Sequence, residues 1–190
     1  PLLNWKLITH AVPILKADSN CKGINIITNL TLIDKEKAEY LKNEGVGVSW
    51  SFDGMSSNET RPLLPVLENS NPETGEMFNG ILEMYESKKD IIMSLTNGCK
   101  VMIWPGNVSS MTENFEFLLD YGIEHPDFSL VRDDIYTEED LKVFDIEIKR
   151  LADKVIEYNR KGIRSNVGLF HLYTLDMIVG RKLGKRPFGC

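Results

Sequence analysis

The chain has 190 residues, 42% hydrophobic and 26% charged, with a net charge of −6. That length supports one domain with a sizeable core, and the composition is that of an ordinary globular protein. Scattered Lys and Arg in an acidic chain exclude a basic nucleic-acid footprint, and no apolar run approaches the roughly 18 residues of a membrane helix.

Residues 4–17 place Trp5, Ile8, Val12 and Leu15 at spacings of three or four, the stripe of an amphipathic helix, with Pro13 expected to kink it. "INIITN" after Gly23 reads as a buried strand. Asp34 opens a helix whose Ala38 and Leu41 share a face and whose stop is Gly45. "VGVSWSF", 46–52, is the next strand, and a polar loop with candidate functional character runs from Asp53 to about Thr74. A helix is predicted over 75–87, with Met77, Ile81, Met84 and Tyr85 on one side. "KVMIW", 100–104, is a strand closed by Pro105–Gly106, followed by a helix capped by Ser109 or Ser110 and stopped at Gly122.

"DFSLV", 127–131, is the last predicted strand, and 138–160 the longest helix, with Leu141, Phe144, Ile148, Leu151, Val155 and Tyr158 along one face. The acidic run before it should favour the positive end of the helix dipole. A further helix is predicted over about 168–182. Alternating strands and helices imply a parallel sheet covered by helices, an α/β fold. Four strands are too few to close a barrel of eight, so a partial barrel or open sheet is expected. The start at Pro1 without an initiator methionine, and the stop at Cys190, suggest an internal piece of a longer protein. With no signal-peptide pattern, a cytoplasmic location is expected.

Ligands of parallel α/β proteins sit beyond the carboxyl ends of the strands. Those ends carry Thr28–Asn29, Ser51 with Asp53, Trp104, and Arg132–Asp133. Hydroxyl, amide and carboxylate groups suit a ribose or an amino-acid head group, and Arg61 is a candidate clamp for an anionic ligand. The bland alternative is equally simple: polar residues end most strands, and Asp53–Gly54 makes an ordinary turn. Cys21 and Cys99 precede apolar runs and read as packed thiols. His10, His125 and His171 are too dispersed to suggest a site.

The order of motifs resembles that of radical S-adenosylmethionine (radical SAM) enzymes. "PLLNWKLI" is similar to the tail of the family's Gly-Gly-Glu-Pro-Leu-Leu motif, and "IITNLTLI" to its Thr-Asn-Gly-Thr-Leu-Leu strand end. "VSWSFDG" closely resembles its Val-Ser-x-Ser-Leu-Asp-Gly strand and turn. "KVMIWPGNVSSMTENFEFLLDYGI" looks like the next strand and helix, and "KRPFGC" like the entry to a SPASM auxiliary iron–sulfur domain. The pattern is most like that of anaerobic sulfatase-maturating enzymes and peptide maturases.

The resemblance implies a partial TIM-like (β/α)6 barrel over 1–165 and a connector, 166–190, leading into a truncated SPASM domain. It implies S-adenosylmethionine (AdoMet) as cofactor, contacted by Ser51 and, through the methionine carboxylate, by Arg61. Asn29 would line the same cavity, Asp53 would shape the turn, and Pro1 would follow the segment that binds the amino group. Leu30 stands where the family has glycine, which should remove freedom for a positive φ.

A 4Fe-4S cluster held by a Cys-x-x-x-Cys-x-x-Cys loop upstream of Pro1 would drive reductive cleavage to a 5′-deoxyadenosyl radical. Cys190 would be the first ligand of an auxiliary cluster. The implied activity is oxidation or cross-linking of a protein or peptide side chain, with flavodoxin or ferredoxin as electron donor; residues 1–190 alone should be inactive. Two other readings stay open: an unrelated α/β barrel enzyme with acid–base chemistry at Asp53, Arg132 or Asp133, and a non-catalytic peptide-binding module derived from a barrel. No glycine-rich phosphate fingerprint follows any strand, which counts against a nucleotide-binding version of the first.

Overall fold

A computed structural model describes residues 1–63, 70–71, 74–75, 77–131, 135–163, 165 and 167–170. Arg132–Asp133, His171, Cys190 and most of the helix expected after 168 lie outside the described residues, as does nearly all of the expected connector. Four strands, β1 (Asn25–Thr28), β2 (Gly47–Ser51), β3 (Gly98–Ile103) and β4 (His125–Leu130), form one sheet in the order β1-β2-β3-β4. Every pairing is parallel, as helical crossovers between consecutive strands require.

The helices before and between these strands are α1 (Trp5–Ala17), α2 (Lys35–Asn43), the short α3 (Ser57–Thr60), α4 (Ile81–Ser87), α5 (Lys89–Met93) and α6 (Met111–Tyr121). The long α7, Glu138–Arg160, follows β4. Its N-cap is Thr137, whose hydroxyl accepts from the Asp140 N–H while the Asp140 carboxylate accepts from the Thr137 N–H. This reciprocal capping box satisfies two otherwise orphaned donors. Helix α2 starts on Asp34, which accepts from the Lys37 N–H at 2.8 Å. It ends at Gly45, whose φ of +61° lets Val46 N–H reach back to Leu41 O at 2.9 Å.

Helix α1 runs through Pro13 without ending there. Proline cannot donate to the carbonyl four residues back, Thr9 O. The hydroxyl of Tyr40, on α2, donates to that carbonyl instead at 3.4 Å. The predicted helix over 75–87 forms only from Ile81. Gly75 has a φ of +73°, Met77 makes an isolated bridge with Ser70, and Gly80 is fully extended as N-cap, so Met77 is left 66% exposed.

Alternate residues of the strands face a helix-covered core. Val48, Trp50, Phe52, Cys99, Val101, Ile103 and Phe128 are all buried there. Trp50 and Phe52 stack at 4.1 Å, Tyr85 of α4 meets Trp50 edge-on at 5.0 Å, and Tyr121 of α6 lies 5.4 Å from Phe52. Each such side chain contributes about 1.5–3 kcal/mol by leaving water. Cys99 is packed in this layer, and burial pushes its thiol up in pKa, as expected of an inert structural cysteine.

The other strand face differs. Ser49, Ser51, Lys100, Met102, Asp127 and Ser129 are only half-buried, and Ile27 is 52% exposed. Parallel sheets are normally covered on both sides, and packed barrel interiors are filled by bulky branched residues. A wall of Ser, Lys and Asp suits a hydrated cavity instead. Among the described residues, no helix is long and apolar enough to cross a membrane.

Candidate functional site

Strand β2 leaves the sheet just after Ser51. Phe52 N–H still donates to Lys100 O at 3.0 Å, but the next β3 donor, Met102 N–H, bonds the Asp53 carboxylate Oδ1 at 2.8 Å. The side chain of Asp53 therefore substitutes for the backbone carbonyl that β2 no longer supplies. Its other partners come from the short turn and helix that follow. Asp53 N–H donates to Ser57 Oγ at 3.1 Å, and Thr60 Oγ1 donates to Asp53 Oδ2 at 2.7 Å.

Arg61 completes this arrangement. Its Nη2 donates to Asp53 Oδ1 at 3.2 Å, and its Nε sits 2.7 Å from Oδ2 as an ion pair without hydrogen-bond alignment. Asp53 is 1% exposed and the Arg61 side chain 25%. Sequence reasoning gave Arg61 to a ligand carboxylate and Asp53 to the turn. In the structure the carboxylate meeting one edge of the guanidinium is Asp53 itself. Among the described residues, Nη1 has no partner.

Two buried asparagines of the following β/α unit hold the groups around this turn, Asn107 at the end of β3 and Asn114 at the turn itself. Asn107 accepts from Trp104 N–H at 2.9 Å and donates to Met102 O at 2.9 Å. Asn114, on α6, accepts from Met55 N–H at 2.9 Å and donates to Asp53 O at 3.1 Å. Gly54, between those two backbone groups, has a φ of +62°, and a Cβ there would stand 2.0 Å from Asn114 Oδ1. No other residue type fits both that conformation and that contact.

Ser51 projects on the open face, and its hydroxyl has no partner among the described residues. Register places it beside Lys100, which in turn lies beside Asp127. Lys100 Nζ and Asp127 Oδ2 are 2.8 Å apart, both groups about two-fifths exposed. A hollow of about 180 Å³ adjoins this row, lined in part by Ser49, Thr96, Gly98, Lys100, His125 and Asp127. His125, the first residue of β4, borders this hollow, which lies toward the amino ends of β3 and β4 and is also lined by Val48, Trp50 and Cys99.

The first strand end carries Asn29, which is exposed. Its side chain accepts from Thr31 N–H and Oγ1, and its carbonyl accepts from Tyr85 OH at 2.6 Å. Burial pushes the Tyr85 phenol up to about 12. Leu30 corrects an expectation: it adopts φ +57° despite lacking glycine's freedom, with its side chain fully buried. Burial of the isobutyl group offsets the steric cost of the left-handed backbone, roughly 1–2 kcal/mol. Pro1 is exposed, its carbonyl accepting from Asn4 N–H, and no hydrogen bond joins it to the 51–61 turn. Among the described residues, no three His, Cys, Asp or Glu side chains are grouped to hold a metal ion.

Sequence reading missed Lys100, Asp127, Asn107 and Asn114. The strict alternation of "CKVMI" already set Lys100 opposite the core residues Cys99 and Val101. Asn114 interrupts the apolar stripe of Met111, Phe115 and Leu118, and a polar residue on such a stripe needs a partner.

No family model matches the chain. It is 30% identical over 191 aligned positions to an uncharacterized protein of Methanocaldococcus jannaschii, covering 98% of this chain and 57% of that protein. The chain therefore spans little more than half the length of that relative. Among solved structures, the histidine-tagged form of anSMEcpe with bound AdoMet superposes with a TM-score of 0.67 at 16% identity, covering 96% of this chain and 49% of that one. Native anSMEcpe with AdoMet and the Kp18Cys peptide gives 0.66 at 16% identity, over 94% and 50% of the two chains. The form with AdoMet and the Cp18Cys peptide gives 0.64 at 18%, over 100% and 52%. The parallel α/β architecture is thus shared with about half of the anSMEcpe chain.

Proposed function

We propose that this chain is part of a radical SAM enzyme, and that the C-terminal rim of its sheet holds AdoMet. The observation that carries the reading is the Ser51–Phe52–Asp53–Gly54 element. Its position closes β2 beside an open polar strand face, in a fold shared with AdoMet-bound structures. The solved neighbours with peptides bound support a peptide or protein substrate.

The donor set suits AdoMet. Ser51 offers an unengaged hydroxyl, and Arg61 offers its Nη1 amino group to a methionine carboxylate. Asp53 orients the guanidinium and compensates its charge, so that a cation can wait in a half-buried place before ligand arrives. Asn29, exposed at the neighbouring strand end, would border the same cavity. The polar wall around Lys100 and Asp127 would keep the cavity hydrated and receptive to a polar peptide. When bound, AdoMet supplies radical chemistry on one-electron reduction by an iron–sulfur cluster. Among the described residues there is no ligand set for that cluster; in this reading a Cys-x-x-x-Cys-x-x-Cys loop would hold it, and Cys190 would serve a separate auxiliary cluster.

The test is anaerobic equilibrium dialysis of the full-length, iron- and sulfide-reconstituted protein with labelled AdoMet. Binding by the wild type is expected, weakened about tenfold by Ser51→Ala and more by Arg61→Met. No binding by the wild type, or wild-type affinity in both variants, overturns the proposal. Isolated residues 1–190 are expected to take up no stoichiometric, reducible four-iron centre, which visible absorption and EPR would check.

A further inference from the structure

We infer that Asn114 is a positioning residue for the proposed AdoMet-binding rim, setting the Asp53–Arg61 pair from one β/α unit away. The inference rests on the AdoMet reading above. Asn114 is 2% exposed on α6, flanked along its own stripe by the buried Met111, Phe115 and Leu118. A purely packing role there would be served by leucine. An amide in this place costs free energy unless both its functions are satisfied.

Among the described residues, both are satisfied by the rim turn alone. Oδ1 receives Met55 N–H and Nδ2 gives to Asp53 O, 59 and 61 residues away in sequence. The two bonds bracket Gly54 and fix the peptide groups on either side of it, the first of which also joins Asp53 to the turn. Asp53 in turn meets Arg61 and Met102 N–H. The start of α6 is itself anchored, because Thr112 N–H donates at 3.0 Å to Glu147, a buried carboxylate on α7. The rim's frame of reference is therefore the α6–α7 pair. The bonds inside the turn, from Asp53 N–H and Thr60 to their local partners, would survive loss of Asn114. What would be lost is the alignment of the turn with α6, leaving Met102 N–H to hold the Asp53 carboxylate without that support.

Two variants of the full-length reconstituted protein test this by AdoMet dialysis between pH 5.5 and 8.5, with affinities expressed as ratios to wild type at each pH. Asn114→Leu is expected to weaken binding about tenfold throughout. Asn114→Asp keeps the acceptor for Met55 N–H but sets a carboxylate oxygen against Asp53 O. It is expected to be weakened similarly at pH 8.5 and to recover toward wild type at pH 5.5, where the buried carboxyl is protonated and can donate. The charged groups around the position are Asp53 and Arg61 on the turn, Glu113 on α6, and Glu147 with Arg150 on α7. All are present in the wild type and cancel in the ratio.

A merely structural role would lower the melting temperature of both variants while leaving the affinity ratio independent of pH. That result, or wild-type affinity in either variant at pH 8.5, overturns the inference. Should Asn114→Leu not fold, the pH profile of Asn114→Asp decides alone. Failure of the wild type to bind AdoMet is a different result and removes the underlying reading.

Discussion

Truncating Asp53 gives the sharpest test of how the rim is held. The carboxylate is 1% exposed and serves the guanidinium of Arg61, the Thr60 hydroxyl and the Met102 N–H. Opposite charges about 4 Å apart at an effective dielectric of about 20 attract by ~4 kcal/mol. Desolvation removes part of that, and the quarter exposure of Arg61 lets water screen more. A net coupling of about 2 kcal/mol remains. Asp53→Ala also strands Met102 N–H, and breaking a buried pair from one side costs about 3–5 kcal/mol.

For a chain of this size each 1 kcal/mol moves Tm by about 2–4 °C, so a drop on the order of 10 °C is expected. The decisive measurement is a double-mutant cycle of Asp53→Asn and Arg61→Met by urea unfolding. Each single variant should cost about 2 kcal/mol and the double variant little more than either. Costs that add to within about 0.5 kcal/mol would mean the two side chains are energetically independent, and the account of a charge-compensated arginine would be wrong.

Leu30 should reverse a usual ranking. Leu30→Ala removes a fully buried isobutyl group at about 3–5 kcal/mol, and Leu30→Gly relieves the φ of +57° as well. The glycine variant should therefore be at least as stable in urea, and an alanine advantage of about 1 kcal/mol would contradict this. Tyr40→Phe should cost about 0.5–1.5 kcal/mol by baring Thr9 O beside Pro13. The cost should shrink in a Pro13→Ala background, where the helix supplies its own donor, and an unchanged cost would refute the substitution of Tyr40 for the missing N–H.

Acid should loosen two helix starts. Burial works against it, but the hydrogen bonds and charge of Lys37 hold Asp34 below its ordinary pKa. Bonds from the Thr137 hydroxyl and N–H lower Asp140. With folded pKa values depressed, their contribution is complete above the ordinary carboxylate value near 3.8 and is lost as pH falls through the folded values. Thermal melts between about pH 5 and 2.5 should fall more steeply for the wild type than for Asp34→Asn/Asp140→Asn, and parallel slopes would refute the assignment.

What could be read in advance was local. The stripe of 138–160 matches α7 to the residue, and Gly45 ends α2 where glycine was read as a stop. Both follow from spacings and caps that a few neighbouring residues settle among themselves. The alternation of "VSWSF" also separated Trp50 and Phe52 from Ser51, so that one side of β2 was legibly apolar. The start of α4 was misplaced because a helical spacing from Met77 to Ile81 is not enough when Gly75 and Gly80 take conformations the helix cannot hold.

The candidate site was legible only in outline. Sequence put Ser51, Asp53 and Arg61 at a strand end because β-strands must stop where polar residues begin. Tertiary structure decided that Arg61 meets Asp53, that Lys100 stands beside Ser51, and that Asn114 reaches back across some sixty residues to the turn. Those contacts depend on the register between strands and on how α6 settles against the sheet. Both are set by the burial of the whole aromatic layer around Trp50, a collective quantity that no short stretch of the chain contains.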